Sequence, residues 1–286
     1  MTLITAVWLI IALAATACGG SGGNGRAEVV AAFYPLAFAA EQIGGGGFHV
    51  TNVTPPGAEP HDVELKPSTA ARVARARLVL YLGHGFQPAL ERALESTHAH
   101  GLDLLAGQAL VTGAHDDGES GLDPHVWLDP VRYARMAERI GAALDRRPAA
   151  ARFADRARAL DETYRRGLAH CRRRTIVTSH AAFGYLARRY GLKQLALEGL
   201  SPEAEPSPRA LARLIDVVRR SGATTVFFEP LVSPRLAEAV ARGAGVRTAV
   251  LDPIEGLSSA DLRRGATYFT VMTRNLAALR AALGCR

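Results

Sequence analysis

Four short segments place a side chain able to ligate metal directly after an apolar run or in the loop that follows one. They are PPGAEPHDVELKPS with His61, GLDPHVWLDP with His125, TIVTSHAAFGYLARRYGL with His180, and TAVLDPIEG with Asp252. A lone His in a loop is usually solvated or hydrogen-bonded, and an Asp before Pro usually starts a turn. Taken together, three imidazoles and one carboxylate form a coherent set for a borderline-soft divalent ion that prefers tetrahedral nitrogen and oxygen ligands. Two further carboxylates accompany them. Glu229, in FFEP, is placed either to hydrogen-bond a ligating imidazole and fix its orientation or to make a contact within the second half. Glu59, in GAEPH, either completes the shell or is restrained from it by Pro60, and water is an equal candidate for any open position.

Positioning such groups requires strands that end together. Short apolar runs alternate with amphipathic ones along the chain, the pattern of parallel sheets covered by helices. Strands are expected at EVVAAF, HVTNV, RLVLYL and LDLL, and again at TIVTS, KQLALE, TTVFF and RTAVL. In a parallel sheet the carboxyl ends of the strands line one edge, where open α/β folds bind ligands. Expected helices include PLAFAAEQIG, PSTAARVARA, AAFGYLARRY, SPRALARLIDVVRRSG, SPRLAEAVARGAG and a single long closing helix from Ala260 to Leu283. A helical stretch lies between the two strand sets, interrupted only by Pro148, which suits a helix first turn. The expected division is a leader and linker over residues 1–25, an α/β lobe over 26–147, a connecting helix over 148–170 and a second α/β lobe over 171–286. The segment from His98 to Gly121, with His98, His100, His115, Asp116 and Asp117, includes a polar Gly-rich loop, either solvated or a transient metal contact.

The 286 residues suit two modest cores. Hydrophobic residues at 48% and charged residues at 21% are ordinary for a globular chain. The formal charge of +7 comes almost wholly from Arg spread along helical stretches, without interleaved aromatics, so nucleic-acid binding is not expected. TLITAVWLIIALAATA is too short for a comfortable membrane span and ends at Cys18, followed by GGSGGNG. It resembles a bacterial lipoprotein signal in which Cys18 carries lipid; a cleavable secretory peptide is the alternative, and both export the protein. In an oxidising compartment the remaining pair, Cys171 and Cys285, is expected to form a disulfide rather than two free thiols.

The four motifs in this order, with a helical strut between the second and third, resemble the metal-binding component of bacterial ABC importers for zinc and manganese. The resemblance extends from Val29 to the C-terminus and takes in FFEPLVSPRLAEAVA and the NLAAL stretch of the final helix. It implies two α/β lobes joined by a long rigid helix, with a metal in the cleft held by His61, His125, His180 and Asp252, two from each lobe. Members resembling manganese binders carry Glu at the third position; His180 makes the set nitrogen-rich and favours Zn²⁺ over Mn²⁺. The implied partners are a membrane permease with its ATPase and a lipid anchor, on the outer face of the cytoplasmic membrane or in the periplasm. The implied form is a monomeric carrier. A zinc hydrolase is the rival class, since three protein ligands and an open position activate water; the sequence holds no HExxH, GxSxG or phosphate-cradling loop. A manganese-binding member of the same family and a metal-dependent surface adhesin are two further readings of the same residues.

Overall fold

The computed structural model describes residues 26–114, 120–200 and 207–286. Cys18 and the rest of the expected leader and linker, and His115, Asp116 and Asp117, lie outside the described residues. The first half runs β1 (Ala27–Ala31), α1 (Tyr34–Gly44), β2 (Phe48–Asn52), α2 (Pro67–Arg75), β3 (Leu78–Tyr81), α3 (Pro88–Thr97) and β4 (Gly101–Asp103). A short antiparallel pair follows, β5 (Thr112–Ala114) with β6 (Ser120–Leu122), then α4 (Pro130–Ala143) and α5 (Arg147–Leu168). The second half runs β7 (Thr175–Thr178), α6 (Gly184–Arg189), β8 (Lys193–Ala196), α7 (Pro208–Ser221), β9 (Thr225–Phe228), α8 (Arg235–Ala244), β10 (Arg247–Val250), α9 (Ser259–Arg263) and α10 (Tyr268–Leu283).

Both four-stranded sheets are parallel, in the orders β2-β1-β3-β4 and β10-β9-β7-β8. Read from the other edge the second is β8-β7-β9-β10, so the two halves repeat one topology. In each, the chain reverses its direction of travel across the sheet at the first strand, which opens a crevice between β1 and β3 and another between β7 and β9. The eight strands fall where the apolar runs place them. Proline opens α1, α2, α3, α4, α5 and α7, its fixed φ suiting the first turn and its missing N–H costing nothing there.

The closing helix departs from expectation. Gly265 takes φ +73, and Thr267 and Thr270 form a reciprocal capping box that starts α10 afresh, so residues 260–283 make two helices rather than one. Nor does apolar periodicity single out the β5–β6 pair, whose strands are three residues each.

Helix α5, about 33 Å long at 1.5 Å per residue, links the amino-terminal edges of the two sheets. At its start the Arg146 guanidinium lies over the ring of Phe48, the first residue of β2; at its end Arg174, which leads into β7, donates to the carbonyls of Leu168 and Ala169. The core is continuous between halves through Trp127, Tyr133, Phe153, Tyr164, Phe183 and Tyr268. Tyr268 of α10 donates to the Trp127 carbonyl (2.6 Å) and Tyr164 of α5 to that of Met272 (2.6 Å). No helix among the described residues is long and apolar enough to cross a membrane.

The disulfide between Cys171 and Cys285 is present and spans 114 residues. It fastens the end of α10 beside the entry to β7, where Arg173 N–H also donates to the Leu283 carbonyl. Chain entropy assigns about 4.7 kcal/mol to closing a loop of roughly 100 residues, before strain. Alkylation of the unreduced, unfolded protein should therefore leave Cys171 and Cys285 unlabelled, and their double replacement by Ala should lower the denaturation midpoint. Stoichiometric labelling of either cysteine would refute the bridge.

Candidate metal centre

The two sheets turn their carboxyl edges toward one another, and the site forms between them. His180 is the second residue beyond β7 and Glu229 the first beyond β9, so neighbouring strands bring them together: Glu229 Oε1 accepts from the His180 backbone (3.3 Å) and lies 2.7 Å from its Nδ1. The His180 carbonyl accepts from Thr178 Oγ1 and Gln194 Nε2, fixing the backbone as well.

From the first half, His125 follows β6 and precedes α4. Asp123 Oδ1 accepts the His125 backbone N–H (2.9 Å) and stands 2.8 Å from Nδ1. Tyr185 of α6 holds this segment by donating to the Asp123 carbonyl (2.8 Å) and accepting from Val111 N–H (3.1 Å). His61 sits in the loop after β2. Its ring packs edge-on against Phe86, and Gln87 steadies the loop by donating to the Pro60 carbonyl (3.0 Å) and to Thr54. Gly57 N–H reaches the Leu257 carbonyl (3.1 Å), so this loop meets the Glu255 loop of the other half.

His61, His125, His180 and Glu255 each offer one ligand atom, and these four atoms lie within 4.8 Å of one another. Glu255 Oε1 is 3.4, 3.0 and 3.4 Å from Nε2 of His61, His125 and His180, and the last two nitrogens are 3.4 Å apart. Bonds of about 2.0–2.1 Å in a tetrahedron give ligand separations of roughly 3.3–3.4 Å, so these gaps are near those a zinc ion would set. Ionised carboxylates only accept hydrogen bonds, so Asp123 and Glu229 hold the Nδ1 protons of His125 and His180 and leave each Nε2 facing the centre.

Asp252, expected as the carboxylate ligand, is not in this group. Its Oδ1 accepts from Ile254 N–H (2.7 Å), closing a turn that carries Glu255, three residues on, into the centre. Sequence reasoning favours the acid nearest the strand end in TAVLDPIEG and passes over Glu255; it also misses Asp123, whose only signal is its place two residues before His125. Glu229 meets the His180 imidazole. Glu59 Oε1 accepts the His61 backbone N–H (3.3 Å) and is 4.0 Å from Nε2, while its Oε2 is buried without a hydrogen-bond partner among the described residues.

Burial alone would lower the His125 pKa, but Asp123 and Glu255 outweigh it and raise the pKa above the ordinary value. His180 responds likewise, its burial overcome by Glu229 and Glu255, and is raised well above. At His61 burial prevails and lowers the pKa. Burial would raise Glu255, yet the facing imidazoles, His180 foremost, hold it well below the carboxylate range. Burial pushes Glu59 up to about 9 and Asp252 up to about 7. His125 and His180 are fully buried and the Glu255 side chain is 1% exposed, while that of His61, at 9%, is the most exposed of the four.

The family model for ZnuA, the periplasmic zinc-uptake complex component A, matches residues 29–282. The chain belongs to this family. The zinc-binding lipoprotein AdcA of Streptococcus pneumoniae is 34% identical over 294 residues, covering 95% of this chain and 59% of that protein, so the chain spans little more than half of that relative. The high-affinity zinc uptake system protein ZnuA of Bacillus subtilis is 32% identical over 310 residues, with 98% and 96% of the two chains covered. The crystal structure of the Zn(II)-bound ZnuA-like domain of S. pneumoniae AdcA matches with a TM-score of 0.77 at 33% identity, covering 91% of this chain and 99% of that one.

The raised imidazoles have a consequence for stability. A group whose pKa is higher folded than unfolded contributes stability that is full below the unfolded value, about 6.5 for His, and fades as pH rises through the folded value. The metal-free protein should therefore melt at progressively lower temperature from about pH 7 upward. Zinc should reverse the trend, because coordination requires the neutral imidazoles that protons otherwise occupy. Melting curves with chelator and with Zn²⁺ from about pH 6 to 9 test this; a metal-free melting temperature that rises across that range would contradict the assignment.

Proposed function

We propose that the protein captures Zn²⁺ outside the cytoplasm and delivers it to an ABC-type membrane importer. One observation carries this reading: the ligand set is divided, with His61 and His125 before α5 and His180 and Glu255 after it, and it closes on a single point. The zinc-uptake family to which the chain belongs, and its zinc-binding relatives, support the same cargo. Three imidazole nitrogens and one carboxylate oxygen suit Zn²⁺ better than Mn²⁺ on ligand softness.

On this reading residues 26–147 and 171–286 act as two lobes, residues 148–170 connect them, and His61, His125, His180 and Glu255 are the ligands. Asp123 and Glu229 orient His125 and His180. The partners are a permease with its ATPase, the working unit is a monomer, and lipid on Cys18 ties the chain to the membrane. Four protein ligands fill a tetrahedral shell and leave no position for an activated water, which favours a carrier over a hydrolase. Zn²⁺ is cargo here, released when the lobes are drawn apart or the imidazoles take up protons.

Calorimetric titration should find one tight Zn²⁺ site per chain, and free metal at 1,000 times Kd should raise stability by about 4.1 kcal/mol. Each of His61→Ala, His125→Ala, His180→Ala and Glu255→Ala should weaken binding more than Glu229→Gln, for which the roughly 10–100-fold loss typical of an orienting partner is expected. Wild-type affinity in His180→Ala or Glu255→Ala would sink the reading, as would zinc-dependent turnover of ester or peptide substrates. A narrower substitution, His180→Glu, converts the set to two nitrogens and two oxygens and should shift preference toward Mn²⁺. An unchanged Zn²⁺/Mn²⁺ affinity ratio in that variant would remove His180 from the shell.

A further inference from the structure

We infer that Asp252 and Asn275 form a brace that sets the position of the Glu255 carboxylate, and so decides whether the metal shell closes at four ligands. The inference rests on the four-ligand reading above and assigns to Asp252 a positioning role in place of ligation.

The segment from Asp252 to Glu255 is held at every step. Asn275 of α10, 2% exposed, donates from Nδ2 to the Asp252 carbonyl (2.7 Å) and accepts the Asp252 backbone N–H on Oδ1 (3.0 Å), gripping the residue from both sides. The Pro253 carbonyl accepts from Trp127 Nε1 (2.7 Å), two residues beyond the ligand His125. Ile254 is fully buried and takes φ +59, a left-handed conformation that is a genuine outlier for a β-branched side chain. Such a conformation persists only where its surroundings over-determine it, and it clusters at functional sites. Here the determinant is the Asp252 carboxylate, which takes the Ile254 N–H at 2.7 Å. Without an acceptor that N–H is buried and unsatisfied, and the backbone is free to relax toward the ordinary region.

Relaxation at Ile254 moves the next residue. Among the described residues the Glu255 side chain meets no hydrogen-bond donor other than the ligand imidazoles, so its direction comes from the backbone that carries it. Gly256, next in line, is packed so that an added Cβ would meet the Ala58 carbonyl at 3.3 Å and Leu231 at 3.2 Å, which confines the turn from its far side. The brace thus supplies a fixed carboxylate in a site where the three imidazoles are fixed by other means.

Co²⁺ reports coordination number directly through its visible d–d absorption, intense for a four-coordinate ion and weak once water enters the shell. Wild-type protein and Asp252→Asn, whose amide oxygen still accepts from Ile254, should give the intense spectrum. Asp252→Ala should give the weak one and lose roughly 10–100-fold in Zn²⁺ affinity, the range for residues that orient a ligand. Should Asp252→Ala not fold, Asn275→Ala carries the same test, since it frees the Asp252 backbone and leaves the carboxylate. An unchanged spectrum and affinity in Asp252→Ala, or in Asn275→Ala, overturns the brace, and so does collapse of the spectrum in Asp252→Asn. Glu255→Gln separates this from failure of the underlying reading: if it keeps the four-coordinate spectrum and full affinity, Glu255 is not a ligand and the site itself is misassigned.

Discussion

The structure is organised around a local repulsion. Four lone-pair-bearing atoms, three imidazole nitrogens and a carboxylate oxygen, are held within 4.8 Å in a space where the groups are almost wholly buried. In so dry a setting the arrangement is tolerable only with positive charge at its centre, supplied by protons on the imidazoles or by a cation. The same contacts raise His125 and His180 and depress Glu255, so a cation bound at the centre would compete with protons.

Holding such a cluster together demands stiff supports on both sides, and the repeated sheet provides them. Each half ends its central strands at the same edge, and each edge is braced by carboxylates one layer out: Asp123 behind His125, Glu229 behind His180. The halves are also joined without the metal. Trp127 reaches the Pro253 carbonyl, Tyr185 the Asp123 carbonyl, and Gly57 the Leu257 carbonyl. Below them Arg189 of α6 bridges Asp129, the N-cap of α4, and Asp161 of α5 at 2.9 and 2.8 Å. These contacts hold the two edges together without an ion, so an ion binding between them would have little ordering entropy to overcome.

Much of this is legible in one dimension because the signals are local. Eight parallel strands show as apolar runs between helices opened by proline, and His61, His125 and His180 stand out because each follows such a run. The three-residue strands of the β5–β6 pair are too short to show a period, and the break before α10 turns on one Gly and a Thr–Thr cap within an otherwise helical pattern. Glu255 is hidden for a different reason. Choosing between Asp252 and Glu255 in LDPIEG requires the backbone path through Pro253 and Ile254, and a left-handed isoleucine is a conformation that residue preference argues against. Contacts from Asn275 and Trp127 hold that path, and neither is near in sequence.

On the carrier reading proposed above, the division of the four candidate ligands between halves also bears on how a bound ion would leave. Neither His61 with His125 nor His180 with Glu255 is enough for a tetrahedral shell, so on that reading a small separation of the edges would convert one strong site into two weak pairs. As the edges part, the buried carboxylate and imidazoles regain water, which removes the repulsion that had favoured a cation. Proton uptake acts in the same direction, since His125 and His180 hold protons more firmly than free imidazole does. On that reading the free energy needed for release would be spread over opening, hydration and protonation. The contacts between Trp127 and Pro253 and between Gly57 and Leu257 bridge the same two halves, so any such opening would have to break them.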